Sequence, residues 1–117
     1  MYGSMPNVPT ELFATAIARG ADLVAQIPQQ GIHGYSITRI FIANGPQTDI
    51  VNGKLFRLYK GAPGTNQFSS VEKTDNNDAQ FTPPEDIPAG CDIFGVWEGQ
   101  AAYVGTATLR VITNGGR

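Results

Sequence analysis

The amino-acid sequence predicts an all-β protein, a single antiparallel β-sandwich of about eight short strands with an extended N-terminal arm. Three observations lead to this fold class. Runs of β-branched and aromatic residues recur about every ten residues. Several of these runs alternate between apolar and polar residues, and 14 glycines and 8 prolines provide turns between them. Since this spacing is typical of sandwiches, we expect a jelly-roll-like arrangement.

The N-terminal third contains two segments that predict strands, Leu12–Ala18 and Asp22–Ile27. The stretch Glu11–Arg19 also fits a short helix, because Leu12, Ala16 and Arg19 recur at helical spacing. We favour the strand. The first nine residues contain two prolines and little periodicity, so we place an extended arm at residues 1–10.

The clearest strand is Tyr35–Ala43, which is rich in β-branched and aromatic residues. Its apolar side chains change face half-way along, near Arg39. A β-bulge at that point, or a strand buried on both faces, would explain the change. The next strand, Lys54–Lys60, begins after the turn pair Asn52-Gly53.

Two weaker strands are predicted at Phe68–Lys73 and Ala79–Thr82, with Asp75–Asp78 as an exposed loop tip between them. The last two strands, Cys91–Glu98 and Tyr103–Ile112, alternate clearly. The second predicts a half-exposed strand, with Ala107, Leu109 and Val111 on one face and Thr106, Thr108 and Arg110 on the other. The two strands complete a sandwich domain at residues 11–113, and we expect a flexible tail at residues 114–117.

Two segments of similar sequence, Ile27–Gly31 and Ile87–Gly90, each precede a strand. Proline fixes φ and glycine permits positive φ, so both segments predict tight corners that reverse the chain. Two equivalent corners favour two sheets packed face to face.

Charge and cysteine content exclude several classes of function. The net charge is −2, with eight lysines and arginines spread along the chain, so we expect neither a nucleic acid nor an anionic membrane as partner. Cys91 is the only cysteine, which excludes an intrachain disulfide. The N-terminus lacks a signal-peptide pattern, so we expect a protein that is made in the cytosol and stays there or leaves inside something larger.

No residue pattern in the sequence predicts a catalytic site, so we do not expect an enzyme. His33 is the only histidine and lies between two glycines, where an exposed turn residue is the ordinary interpretation. Cys91 resembles a small buried apolar residue without a neighbouring cation to lower its pKa. No metal or other cofactor is expected.

The acidic residues form two clusters, which we interpret as solvated loop residues. Glu85, Asp86 and Asp92 would suit glycoside hydrolysis only if the fold placed them across a cleft. The oxygen ligands of Asp75–Asp78 would suit Ca²⁺, but their spacing does not match a calcium loop.

Trp97 and Tyr59 are candidates for a sugar-stacking platform. However, Trp97 is in phase with Ile93, and filling the sandwich core is the ordinary role of such an aromatic residue.

Five stretches of the sequence resemble small β-sandwich virion proteins of tailed bacteriophages, of the head-decoration and appendage type. They are Ile27–Gly31 with Ile37–Asn44, Leu58–Gly61, Ile87–Gly90, Val96–Gly99 and Ala107–Val111. The resemblance implies a virion location, the major capsid protein or another virion protein as partner, and a homo-oligomer, with a trimer favoured. It also implies that the arm docks on a capsid subunit through Tyr2, Met5, Pro6, Val8 and Pro9.

We therefore expect a non-enzymatic virion structural protein, most simply a capsid decoration (cement) protein that stabilises contacts between shell subunits. The alternative is a carbohydrate- or receptor-binding tip domain of a phage fibre or tail. A hydrolase that uses Glu85, Asp86 and Asp92 ranks third.

Overall fold

A computed structural model of the chain describes residues 8–45, 55–62, 64–72, 76–103 and 105–115. Within these ranges the chain forms nine strands, and none of the described residues is helical. The strands are β1 (Glu11–Thr15), β2 (Ile17–Arg19), β3 (Asp22–Ile27), β4 (Tyr35–Gly45), β5 (Leu55–Lys60), β6 (Gln67–Glu72), β7 (Asn76–Ile87), β8 (Ile93–Trp97) and β9 (Thr106–Thr113). The described part of the chain accordingly holds no helix that could span a membrane.

The strands form two antiparallel sheets, one in the order β1-β9-β4-β7 and the other in the order β2-β3-β8-β5-β6. When β2 is set aside as an extension of the first strand, the other eight follow the order of a jelly roll. The first strand pairs with the last, and the chain passes repeatedly from one sheet to the other. The predicted all-β sandwich with jelly-roll character is confirmed.

The segment predicted as one strand at Leu12–Ala18 is two short strands that belong to different sheets. β1 pairs with β9 and β2 pairs with β3. The break is at Ala16, whose N–H donates a hydrogen bond of 2.8 Å to the carbonyl of Ala107. The helix considered for this stretch is wrong, because backbone pairing with two neighbouring strands replaces internal helical hydrogen bonds.

β4 contains the β-bulge that the sequence suggests near Arg39. Its register shifts between Ile37 and Arg39 against both of its neighbours. An extra residue at this point returns the side chains of the second half of the strand to the inner face. As a result, Tyr35, Ile37, Ile40 and Ile42 are all buried in one core.

β7 is longer than predicted and includes part of the segment expected to be a loop tip. Asn76, Asn77 and Asp78 pair with the second half of β4. The loop prediction is therefore wrong for these three residues. Their polar sequence is typical of a loop, but the backbone of β4 pairs with them and makes them part of a strand.

The core lies between the inner faces of the two sheets. Its largest fully buried side chains are Trp97, Tyr35, Phe56, Ile27, Ile37, Ile40, Ile42, Leu58, Ile87, Ile93 and Leu109. A second, smaller cluster lies on the outer face of the five-stranded sheet and consists of Val24, Tyr59, Phe94 and Val96. Arg19 covers the ring of Phe94, with its guanidinium carbon 5.7 Å from the ring centroid.

Candidate functional site

The partner-binding residues predicted in the arm do not share one environment. Val8 is fully buried in this chain's own core. The carbonyl of Pro9 accepts a hydrogen bond of 2.7 Å from Thr113 Oγ1. Residues 8–10 are therefore part of the sandwich, and Val8 offers no side chain to a partner. The other three residues lie outside the described ranges: Tyr2, Met5 and Pro6.

The beginning of the predicted tail is tied to β4. The N–H of Asn114 donates to the carbonyl of Ser36 at 3.1 Å, and Asn114 Oδ1 accepts from the N–H of Ser36 at 3.0 Å. These two hydrogen bonds continue the pairing of β4 with β9 by one residue beyond the strand end.

The two predicted corners lie side by side at one end of the sandwich. Each carries the chain from one sheet to the other, and Gly31 and Gly90 have φ values of 67° and 75°. Because β3 pairs with β8 and β4 pairs with β7, the strand ends that flank both corners are neighbours. An open cleft of about 510 Å³ at this end is lined by Gln29, Gly61, Ala62, Gly90, Cys91, Asp92 and Phe94.

Asp92 joins the two corners. Its carboxylate accepts hydrogen bonds from Gln26 Nε2 at 2.7 Å and from the N–H of Gln29 at 2.8 Å. The backbone of Asp92 also accepts from the N–H of Gly61 at 2.9 Å. Asp92, which follows the second corner, therefore binds both the first corner and the loop that begins at Gly61. These contacts give Asp92 a structural role.

The three acids considered for hydrolysis are each held in a different contact. Glu85 Oε2 lies 2.5 Å from Lys60 Nζ, and Asp86 accepts a hydrogen bond of 2.8 Å from Ser36 Oγ. Since neighbouring residues of a strand point to opposite faces, Glu85 and Asp86 do not face each other across a cleft. Their contacts and those of Asp92 hold the fold together.

His33 and Cys91 lie near the corners but form no catalytic pair in the described residues. His33 is half-buried in the first corner, where its N–H donates to the carbonyl of Gln30 at 3.3 Å. The thiol of Cys91 is half-buried and lies 3.5 Å from the carbonyl oxygen of Asp92.

The acidic cluster considered for Ca²⁺ is only partly visible. Asp75 lies outside the described residues, and the carboxylate of Asp78 forms an ion pair with Arg39. Among the described residues, no group of three or more histidine, cysteine or acidic side chains is placed to hold a metal ion.

The sugar-stacking platform of Trp97 and Tyr59 is wrong. Trp97 is 0% exposed and belongs to the core, while Tyr59 is 7% exposed and belongs to the outer cluster. The two residues lie in different layers of the molecule. The phase relation between Trp97 and Ile93 correctly indicated the buried role.

Tyr35 is a buried polar residue at the corner end of the core. Its hydroxyl has no hydrogen-bond partner in the described structure. Burial raises the pKa of Tyr35 well above its ordinary value, and the nearby Cys91 and Asp92 raise this pKa further. The folded protein therefore holds the Tyr35 proton at a pH where the unfolded chain releases it.

We expect stability to fall with rising pH above about 10 more steeply in the wild type than in Tyr35→Phe. In that range the unfolded state binds fewer protons than the folded state, so each pH unit costs up to about 1.4 kcal/mol. Below this range the hydroxyl is protonated in both states, and the two proteins have equal slopes. Urea unfolding at a series of pH values measures the difference, and parallel curves above pH ~10 would show that Tyr35 titrates normally.

The outer face of the four-stranded sheet carries a different arrangement, which we name the aromatic–arginine face: Phe13, Arg39, Phe41 and Arg110, with Glu11 and Asp78. Cross-strand pairing places Phe13 opposite Arg110, and Arg110 opposite Phe41. Both guanidinium groups lie over the ring of Phe41, with Arg110 at 4.6 Å and Arg39 at 4.9 Å from its centroid.

Carboxylates hold both arginines in place. Arg110 Nε lies 2.5 Å from Glu11 Oε2, and Arg39 forms its ion pair with Asp78. Each exposed ion pair contributes between 0 and about 1 kcal/mol to folding, and each exposed cation–π contact about 0.5–1 kcal/mol. These contacts orient the side chains more than they stabilise the sandwich, and both arginine side chains remain 46% exposed.

Three large apolar side chains are strongly exposed among the described residues: Phe13 (61%), Ile17 (67%) and Ile32 (86%). Of these three, Phe13 lies opposite Arg110 and in line with the ring of Phe41. No pattern in the sequence marks any member of this face as a site. The alternation of the last strand placed Arg110 on an exposed side, but only the register of three strands brings it between two phenylalanines.

Comparison with known proteins gives similarities of backbone shape only. No protein-family model matches the chain, and no curated protein matches its sequence. A structure of the family 32 CBM from C. perfringens NanJ in complex with galactose is similar, with a TM-score of 0.47, 14% identity, and coverage of 92% of this chain and 96% of that chain. A chain in the structure of Tomato Aspermy Virus is also similar, with a TM-score of 0.41, 6% identity, and coverage of 97% of this chain and 86% of that chain.

A third similar structure is hydroquinone 1,2-dioxygenase from Sphingomonas sp. TTNP3, with a TM-score of 0.27, 12% identity, and coverage of 86% of this chain and 65% of that chain. The three solved structures have different functions and do not single out one for this chain.

Proposed function

We propose that this chain is a non-enzymatic structural protein of a virion that decorates the capsid through its aromatic–arginine face. The observation that carries the proposal is the geometry of this face. A phenylalanine that is 61% exposed lies opposite Arg110, and the guanidinium groups of Arg110 and Arg39 both lie over the ring of a second phenylalanine. Aromatic residues and arginine are enriched in the central contacts of protein interfaces.

The shell subunit, which is the major capsid protein or another virion protein, is the partner in this proposal. The resemblance of the sequence to head-decoration proteins supports the virion setting. Carboxylates already hold both arginines in a fixed orientation, so docking costs less side-chain entropy than ordering free arginines would.

Decoration stabilises a shell by mass action. A protein that binds the assembled shell and not its free subunits favours assembly by RT ln(1 + [L]/Kd) at each site. A specific contact of this kind buries about 1,200–2,000 Å² in total, counted over both partners. The four-stranded sheet offers a continuous surface for such a contact.

We expect Arg110→Ala to weaken binding to capsid shells by about tenfold or more, because central arginines commonly contribute over 1.4 kcal/mol at interfaces. Co-sedimentation of the purified chain with shells assembled without it measures the affinity. Arg19→Ala is the matched control, since Arg19 also covers a phenylalanine but lies on the opposite outer face.

Equal losses in Arg110→Ala and Arg19→Ala would contradict the proposed face. Absence of shell binding by the wild type would contradict decoration itself.

Carbohydrate or receptor binding is the second candidate, favoured by the open cleft at the corner end. Its lining combines an amide, a carboxylate and an aromatic residue, which is the mixture found in small-molecule sites. Glycan-array binding that is lost in Gln29→Ala and kept in Arg110→Ala would support this candidate against decoration.

A further inference from the structure

β1 is an edge strand whose open side is defined by two hydrogen bonds. In the described part of the chain, β1 pairs with β9 alone. Just before β1, the carbonyl of Thr10 accepts from the N–H of Thr113 at 2.9 Å, and just after it, Ala16 N–H donates to Ala107. The N–H and C=O groups of the even-numbered residues from Thr10 to Ala16 therefore point toward β9.

Backbone groups alternate in direction along an antiparallel strand. The N–H and C=O groups of Glu11, Phe13 and Thr15 consequently point away from β9, toward the open edge. The side chain of Phe13, at the centre of these three residues, is strongly exposed. An unpaired edge with an exposed apolar residue at its centre is a template for another strand.

The other edge of the same sheet is protected and β1 is not. β7 contains Pro83 and Pro84, and proline cannot donate a ladder hydrogen bond. On the same side of the sandwich as β1, β2 has three residues and ends at the charged Arg19. Natural proteins block edges in these ways. β1 has five residues and no proline, and its charged residue Glu11 is already paired with Arg110, so the edge of β1 is less protected than those of β7 and β2.

We propose that β1 of one copy pairs with β1 of a second copy, antiparallel and about a two-fold axis at Phe13, so that the two four-stranded sheets become continuous. The pairing deepens the proposed function, on which it rests for its role in the particle. Its occurrence in solution can be tested without a shell.

The positions of the outward backbone groups select this register. With Phe13 opposite Phe13 of the second copy, Glu11 faces Thr15 and Thr15 faces Glu11, so every outward N–H and C=O of the three residues has a partner. A shift of two residues in either direction leaves some of these groups unpaired. A register centred on Glu11 would also place two carboxylates directly opposite each other, which is unfavourable.

The pairing would also extend the aromatic–arginine face. In each copy the row runs from Asp78 through Phe41 and Arg110 to Phe13. Two copies joined at Phe13 present this row twice on one continuous surface, with the two phenylalanines in contact at the centre. Bivalent contact of this kind raises the apparent affinity for a repeating surface such as a shell.

Analytical ultracentrifugation of the full chain over a range of concentrations tests the pairing. We expect a dimer for the wild type and at least about tenfold weaker dimerisation for Phe13→Glu, which places two carboxylates opposite each other and removes the aromatic contact. Thr15→Pro is a second variant with the same expectation. It removes an outward N–H and no hydrogen bond to β9, and circular dichroism checks that it folds.

Ile32→Glu is the matched control, because it replaces an exposed apolar residue outside β1 by the same acid. Its dimerisation is expected to be unchanged. A wild-type monomer, a trimer, or a dimer that survives both Phe13→Glu and Thr15→Pro overturns the proposal.

Hydrogen exchange gives an independent readout. The amides of Glu11, Phe13 and Thr15 should gain protection as concentration rises. Protection that does not depend on concentration would indicate that another part of the same chain covers the edge, and would also overturn the proposal. A monomer that still binds shells through Arg110 would refute only the pairing, whereas a dimer that binds no shell would refute only the proposed function.

Discussion

Trp97→Ala is expected to lower the free energy of unfolding by about 3–5 kcal/mol, the range typical of a fully buried large aromatic residue. The indole is 0% exposed, and the ring of Phe56 packs edge-on against it with centroids 4.6 Å apart. Truncation removes the transfer free energy of the indole and leaves a cavity that neighbouring strands cannot fill without shifting. For a domain of ordinary stability, this is a large part of the total of about 5–15 kcal/mol.

Urea unfolding followed by circular dichroism measures this loss. Ile32→Ala is the control, because it also removes a large apolar side chain but from a site that is 86% exposed and lies outside the proposed contacts, and surface substitutions usually change stability by less than about 0.5 kcal/mol. A small effect of Trp97→Ala would mean that the indole lies outside the core. It would also reopen the possibility that this residue binds a ligand.

The position of Trp97 shows what alternation along a strand can predict. Its phase relation with Ile93 placed it in the core, and the same reasoning placed Ala107, Leu109 and Val111 on the inner face of β9. Such patterns are local, because successive side chains of a strand point to opposite faces whichever strand lies beside it. The interruption of the pattern near Arg39 likewise indicated the bulge in β4.

Long-range pairing could not be predicted in this way. Leu12–Ala18 reads as one strand, and only its partners show that it divides at Ala16 between two sheets. The polar start of β7 has few β-forming residues and is a strand because the β4 backbone pairs with it. Val8 lies between Pro6 and Pro9 in a segment whose sequence is typical of an extended arm, yet its side chain is buried in the core.

The aromatic–arginine face was missed for the same reason. Its members come from β1, β4, β7 and β9, and the contact of Arg110 with Phe41 joins residues that are distant in sequence. Each of these residues is an unremarkable surface position when its strand is considered alone. The candidate site is a property of strand register, which the sequence pattern does not specify.

Gly95→Ala is expected to destabilise the protein by about 1–3 kcal/mol, against the usual trend for glycine in a strand. Alanine normally stabilises an interior strand position by about 0.5–1 kcal/mol relative to glycine, because it restricts the unfolded chain. Here an added Cβ would lie 2.7 Å from Phe56 Cζ and 3.0 Å from Leu109 Cδ2. Both neighbours are fully buried, so they cannot move away without disturbing other core residues.

If the clash with Phe56 causes the loss of stability, a smaller side chain at position 56 should reduce it. Phe56→Leu removes the ring atoms that the new methyl group would strike, so Gly95→Ala should cost about 1 kcal/mol less in the Phe56→Leu background than in the wild type. Urea unfolding of the two single variants and the double variant measures this coupling. Strictly additive losses would show that backbone conformation, and not contact with Phe56, makes glycine necessary at this point. If Gly95→Ala stabilised the wild type, β8 would have room for a side chain, and the close approach of the two sheets at their centre would be refuted.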